Sequence, residues 1–385
     1  MPRRRAAIAR RRRNLLLAAV AAFAAGITLG ALSDGGNDEP APRPAGDPPT
    51  PRAGARPAAV DRLSLSQQVG QLIVLRFAGT TAPDYVAAAL RERRAAGAIL
   101  FRDNVTTPEQ LRALTAGLRR AGGRPLVALD QEGGEVRIVP WAPPAASQPQ
   151  QAAAGSVRAD ANAAASALRA AGVTVSLAPV GDVPSVGGAA LGGRAFSRDS
   201  DAASAAVAAA VTGWRAGSVA ATVKHFPGLG GATVNTDAAP ATVTRTLAQI
   251  EATDLPPFEA AIRTGVPLVM VGHARYPALD PDRIASQSPT VVEQLLRRRL
   301  GFRGVTVTDS MEAQASLATG PITTGSERAV RAGVDLLLLT GRGSYRPVYH
   351  HLLEVARRSP RLRARVRASA ARVLALKERG AQPPP

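Results

Sequence analysis

The sequence predicts an α/β fold, a closed (β/α)8 barrel of the TIM type, preceded by a basic flank, an apolar helix and a Pro/Ala-rich linker. Two observations carry this expectation. Eight short, nearly continuous apolar runs alternate with Ala- and Arg-rich stretches of helical length, the pattern of parallel strands covered on both faces. Six consecutive runs also end in ionisable residues, and such a barrel gathers its chemistry at the C-terminal ends of its strands.

The expected strands are Gln71 to Phe77, Gly97 to Phe101, Pro125 to Leu129, Thr174 to Ala178, Ala220 to Phe226, Pro267 to Gly272, Gly304 to Thr308 and Val334 to Leu339. Each is rich in β-branched or aliphatic residues and bounded by turn formers. Helices are expected at Pro108 to Ala121, Ala159 to Ala171, Ala202 to Ala216, Pro256 to Thr264, Pro289 to Leu300 and Ser326 to Ala332, which makes residues 61–380 one barrel domain. Trp214 falls in a helix core. His350-His351 and the run from Arg357 to Arg372 read as the solvated side of the last helix.

At the strand ends stand Arg102-Asp103, Asp130-Gln131-Glu132, Asp182, Lys224-His225, His273 and Asp309, in chain order from the second strand to the seventh. One polar residue in such a place is commonly a helix cap, and a turn carboxylate capping a following helix is the competing reading of Asp130. Six in succession exceed what capping requires. The segment Lys224 to Asp237, KHFPGLGGATVNTD, carries a further signal. Lys224 and Lys377 are the only lysines among 48 Lys plus Arg. A compact ammonium has therefore been kept beside His225 where a guanidinium would be the chain's habit.

The N-terminus places the domain outside the cytoplasm. Residues 1–14 hold seven arginines, and Leu15 to Leu32 is an apolar run near the lower limit for a membrane span. The positive flank orients it with its N-terminus inside. The weak small-residue site around Ala31-Leu32-Ser33 favours a single-pass signal anchor over a cleaved signal peptide, and Arg12-Arg13 has a twin-arginine look. Residues 33–60 read as a disordered tether that would hold the barrel off the membrane, facing the cell wall. No cysteine follows the run, which excludes a lipoprotein anchor.

Composition removes several function classes. The absence of cysteine excludes disulfides and thiolate metal sites. A net charge of +19 raises nucleic acid as a partner, but seven charges belong to the N-terminal flank and aromatics make up 3% of the chain. The remainder is dispersed arginine without the stacking platforms of single-strand binders, so affinity for anionic wall polymers or lipid heads is expected instead. Gly133-Gly134 and Gly187-Gly188 do not form dinucleotide fingerprints. His273 and His225 lack paired metal-ligand spacing. No cofactor or metal is expected, and the protein is expected to be a monomer.

VALDQEGGEV, SLAPVGDV, GGRAFSRD, VKHFPGLG, MVGHARYPALD and VTVTDSMEA, in this order and spacing, resemble the N-terminal barrel of glycoside hydrolase family 3. Within it they look most like the single-domain β-N-acetylglucosaminidase branch, over about residues 61 to 380. The resemblance implies a retaining glycosidase on β-linked N-acetylhexosamine in cell-wall or chitin-like fragments. It implies Asp309 as nucleophile, and Asp130, Arg194, Lys224, His225 and His273 as residues of the sugar pocket. The chemistry suits these types: a retaining glycosidase needs a carboxylate below the anomeric carbon and a proton donor beside the leaving oxygen. A carboxylate fork and nearby cations orient sugar hydroxyls.

One departure bears on the proton donor. The family branch carries an Asp-x-His pair in the loop after the fifth strand, whereas this chain has Asn235 and Asp237 in those places and Leu229 where the motif has a further His. Asp237 is the candidate acid/base, provided burial raises its pKa. The alternative is a surface-tethered glycan-binding pseudo-enzyme that keeps the pocket and lacks the acid.

Overall fold

The structure is a computed structural model and describes residues 58–122 and 124–379. Eight parallel strands close into one barrel: β1 (Ile73–Arg76), β2 (Gly97–Ile99), β3 (Leu126–Leu129), β4 (Val175–Ser176), β5 (Ala220–Phe226), β6 (Leu268–Val271), β7 (Val305–Ser310) and β8 (Leu336–Leu339). Each pairs with its sequence neighbours, and β1 closes the ring on β8 through Ile73 opposite Leu337. Every expected strand is present, which confirms the predicted fold class.

The two apolar faces of the strands divide as a period of two requires. Val74, Ile99, Ala128, Met270, Val307 and Leu338 join one cluster that fills the barrel. Their neighbours Ile73, Val127, Val269 and Leu337 belong to a larger cluster against the surrounding helices. Gly97 is obligatory in this closure, since a Cβ there would lie 2.0 Å from the Leu126 carbonyl oxygen.

Helices follow the strands: α1 (Asp84–Arg91), α2 (Pro108–Ala121), α3 (Val157–Ala170), α4 (Ser200–Ala216), α5 (Leu255–Arg263), α6 (Thr290–Arg299), α7 (Ile322–Ala332), α8 (Tyr345–Arg358) and α9 (Pro360–Arg379). The Ala/Gly-rich faces of α3 and α4 let the two helices approach closely. A Cβ at Gly213 would meet the Arg158 carbonyl oxygen at 2.4 Å. Trp214 is buried on α4.

Three local departures from the expected elements have physical causes. β4 spans only two residues, because Pro179 cannot donate to a ladder. The chain nevertheless stays beside β5, with Lys224 N donating to Pro179 O at 3.1 Å and Gly181 N to Lys224 O at 2.6 Å. α6 is wound with the wider i to i+5 bonding, and its Arg297 turns inward to pair with the buried Asp335, which also accepts from Thr306, Ser369 and Arg372. The Arg-rich C-terminal run breaks at Ser359 into α8 and α9. It is not one solvated face: Arg365 pairs with Glu293 and Arg372 with Asp335. His350 is exposed, while His351 bonds Glu327 at 2.7 Å.

The first described turn, Ala59–Arg62, buries Val60, so the barrel domain begins slightly ahead of residue 61. The basic flank, the apolar run 15–32 and the linker up to residue 57 lie outside the described residues. Among the described residues no helix is long and apolar enough to cross a membrane.

Lys377 of α9 is buried and donates to Gln71 Oε1 at 2.7 Å, beside the start of β1. Burial, with the charge of Arg93 added, brings its pKa down to about 7. Between about pH 7 and its ordinary value the unfolded chain holds a proton that the folded chain has released, so stability rises with pH across that window. The expected slope from this group is up to about 1.4 kcal/mol per pH unit. Urea unfolding of the wild type and Lys377→Met from pH 6 upward checks it; parallel profiles would show that Lys377 stays charged in the fold.

Candidate active site

The C-terminal ends of β3, β4, β5 and β7 supply the polar centre. Lys224, near the end of β5, has only 2% of its side chain exposed, and its Nζ lies 2.6 Å from both Asp130 Oδ1 and Glu132 Oε1. Glu132 in turn accepts from Arg194, Nε to Oε2 at 2.9 Å and Nη2 to Oε1 at 2.6 Å. Two carboxylates and two cations thus form one continuous cluster. Lys224 spends two of its three donors on this cluster and keeps the third. Asp130 commits one oxygen and is 22% exposed.

Local sequence explains the placement. After Asp130 the chain enters a two-stranded ribbon, Gln131–Gly133 with Val136–Arg137, and no helix follows to be capped. Asp130 and Glu132 are two residues apart in extended chain and so share a face. Gly133, at φ +107°, allows the bend, because a Cβ there would meet Ala146 O at 2.1 Å. The Gln131 amide pins the returning segment through the carbonyls of Val139, Ala142 and Pro143.

Burial opposes the charge on Glu132, yet Lys224 and Arg194 hold its pKa down to about 2. Desolvation likewise opposes the Lys224 ammonium, and Asp130 and Glu132 overcome it and raise the pKa.

His225 is fixed from behind. Asp182 accepts from its backbone N at 3.2 Å and from the Leu229 N at 2.7 Å, and faces its Nδ1 at 2.8 Å. The other ring nitrogen, Nε2, points to Asp309 Oδ2 at 3.8 Å. Asp309 ends β7 beside Ser310, whose N donates to its Oδ1 at 2.8 Å. Burial would raise the Asp309 pKa, but the neighbouring His225 and His273, the Ser310 N–H and Lys224 bring it below the ordinary range.

Asp130, Arg194, Lys224, His225, Asn235, Asp237 and Asp309 all line one cavity of about 370 Å³ at this end of the barrel. The size suits a monosaccharide unit. Asp237 sits exposed on the rim. Its loop is tied to the segment after β7, with Ala315 N donating to Thr236 O at 3.1 Å and Gln314 N to Asp237 O at 3.3 Å. Partial withdrawal from water and the charge of Asp309 push its carboxyl pKa up.

His273 does not line this cavity. It is fully buried, with Nδ1 against Ser286 Oγ and Nε2 against Ser310 O, both at 2.8 Å. It therefore buttresses the end of β7. Among the described residues no group of three or more His, Asp or Glu side chains comes together as a metal site. The sequence places Glu132 and Asp182 at strand ends among the ionisable groups of the mouth, but neither is among the expected residues of the sugar pocket. The alternation Asp130-Gln131-Glu132 was the available signal for the first, and a strand-end carboxylate opposite His225 for the second.

Residues 64–376 match the model of the glycosyl hydrolase family 3 N-terminal domain. The chain belongs to this family. It is 36% identical over 280 residues to a β-hexosaminidase of Stenotrophomonas maltophilia, covering 70% of this chain and 83% of that protein. Among solved structures it is similar to a family 3 β-N-acetylglucosaminidase from a Paenibacillus species, with a TM-score of 0.78 and 34% identity. The likeness covers 83% of this chain and spans 63% of the Paenibacillus chain. A β-N-acetylhexosaminidase from Beutenbergia cavernae matches with a TM-score of 0.76 and 32% identity, over 82% of this chain and 99% of that one. The family 3 chain described here is accordingly a glycosidase, β-N-acetylhexosaminidase-like in the relatives it matches.

Because Glu132 ionises more readily in the fold than in the unfolded chain, it contributes stability that is present above its ordinary pKa of 4.5 and is lost as pH falls towards about 2. The loss expected from this group is on the order of 3 kcal/mol. Glu132→Gln should flatten the acid limb of the stability profile and leave Lys224 and Arg194 poorly compensated at neutral pH. Denaturant titrations from pH 7 to pH 3 read both effects, and superimposable wild-type and variant profiles would contradict the cluster's role.

Proposed function

We propose that this glycosidase removes terminal β-linked N-acetylhexosamine with retention of configuration, through a covalent sugar ester on Asp309. The observation that carries the reading is the opposed tuning of two carboxyls lining one cavity. Asp309 is held ionised at the end of β7, while Asp237 is shifted towards its protonated form. Such a pair divides nucleophile from acid.

In this reading Asp309 Oδ attacks the anomeric carbon as the glycosidic C–O bond breaks, and the Asp237 proton passes to the leaving oxygen. Water then attacks the same carbon, Asp237 takes its proton, and Asp309 is released as carboxylate. Asp130 accepts from sugar hydroxyls, while Arg194, His225 and the third Lys224 donor supply hydrogen bonds to the bound unit. His273 acts through the end of β7, without touching sugar. Cell-wall or chitin-like fragments are the proposed source of substrate. This rests on the apolar run 15–32 and the linker, which would tether a monomeric barrel outside the cytoplasm.

Asp237 is exposed, which favours the competing reading of sugar binding without efficient turnover. Two measurements separate the readings. Asp309→Asn should lower kcat on an aryl β-N-acetylglucosaminide by about three orders of magnitude or more while the fold persists. A fluorosugar inactivator should label Asp309, and wild-type turnover in this variant would end the assignment.

Asp237→Ala should cost about 10²- to 10⁴-fold on a natural disaccharide and far less on a substrate whose leaving group needs no proton. Equal loss on both substrates, or none on either, would remove Asp237 as the acid.

A further inference from the structure

A second cavity of about 360 Å³ lies beyond His273, between the loop at Thr242, the ribbon Arg275–Tyr276 with Asp280–Ile284, the segment around Ala318-Thr319, and Arg328 of α7. Three guanidiniums line it, those of Arg275, Arg283 and Arg328, against one lining carboxylate, Asp282. His273 contributes to its wall with both ring nitrogens already engaged.

The partners of these arginines set the cavity apart. Several other buried or partly buried arginines pair with carboxylates: Arg194 with Glu132, Arg245 with Asp254, Arg297 and Arg372 with Asp335. Arg328 instead donates to Gln287 Oε1 at 2.7 Å, Thr319 O at 2.8 Å and Thr319 Oγ1 at 3.0 Å, all neutral acceptors. Arg275 donates to Pro281 O at 2.8 Å. Among the described residues neither guanidinium has a carboxylate oxygen within salt-bridge distance, although both are only partly exposed. Arg283 stands 3.6 Å from Asp280, whose carboxylate also accepts from Ser288.

A half-buried guanidinium held in place by neutral acceptors keeps its charge and part of its donor fork for another group, and the planar fork matches carboxylate and phosphate oxygens. We propose that this cavity binds a small oxyanion-bearing ligand, of about monosaccharide size, through Arg275 and Arg328. The site is separate from the sugar cavity, which Arg275 and Arg328 do not line. Its ligand could carry either a carboxylate or a phosphate ester, and both are tested.

Calorimetric titration of the full chain with inorganic phosphate and with D-glucuronate, at constant ionic strength, provides the test, with D-glucose as the uncharged control. Saturable binding of at least one anion is expected. Its Kd should weaken by about tenfold or more in Arg275→Gln/Arg328→Gln, and by a smaller factor in Arg275→Gln alone. Binding of phosphate only assigns a phosphate ester, and binding of glucuronate only assigns a carboxylate.

No heat with either anion would overturn the proposal, as would equal affinity in wild type and variants. Arg328 also holds Gln287 and Thr319, so thermal unfolding without ligand is measured for each variant. If the double variant is unfolded, an unchanged affinity in Arg275→Gln is enough to refute the site. Hydrolysis is not read, so the outcome does not depend on Asp309 or Asp237.

Discussion

The Lys224 ammonium, buried between Asp130 and Glu132, is the constraint on which the rest of this site depends. A lone buried charge would neutralise or unfold its surroundings. Here two carboxylates and the Arg194 fork balance it, and the balance holds only if β3, β5 and the segment bearing Arg194 keep their relative positions. The ribbon after β3, the bend at Gly133 and the Gln131 amide all serve that placement. Removing one partner from such a cluster costs more than the cluster's net contribution to stability, because an uncompensated charge remains.

A second line of groups crosses the cavity from Asp182 through His225 to Asp309. Asp182 turns the imidazole by occupying Nδ1, which leaves Nε2 to face the β7 carboxylate. The two lines meet at the end of β5, where Lys224 and His225 are adjacent in sequence and serve different carboxylates. This explains why neighbouring residues of one strand carry so much of the site's electrostatics. It also explains how Asp309 remains acidic in a largely enclosed position.

Much of this was legible beforehand. Nearly continuous apolar runs of strand length identify the strands because both faces of a barrel strand are buried, and polar residues at their ends fall at one mouth because the strands are parallel. What escaped was whatever depends on local winding or on partners distant in sequence. The wide turns of α6 that bring Arg297 to Asp335 leave no periodic signature in ten residues. Glu132 stood in plain view in the Asp130-Gln131-Glu132 run, but its partners lie 62 and 92 residues onward in the chain. His273 ends its strand as expected, yet two hydroxyl- and carbonyl-bearing neighbours turn it away from the cavity. Sequence position specifies a strand end, and only packing specifies which way a ring faces.

The scarcity of lysine has an experimental consequence. The chain's two lysines occupy opposite ends of one barrel, Lys224 at the mouth and Lys377 beneath the start of β1, and both are enclosed. An acylating reagent directed at side-chain amines therefore meets no surface lysine on the described domain. Its slow reaction at each position becomes a clock for opening at that end, so one labelling time course followed by peptide mass reports separately on breathing of the mouth and of the base.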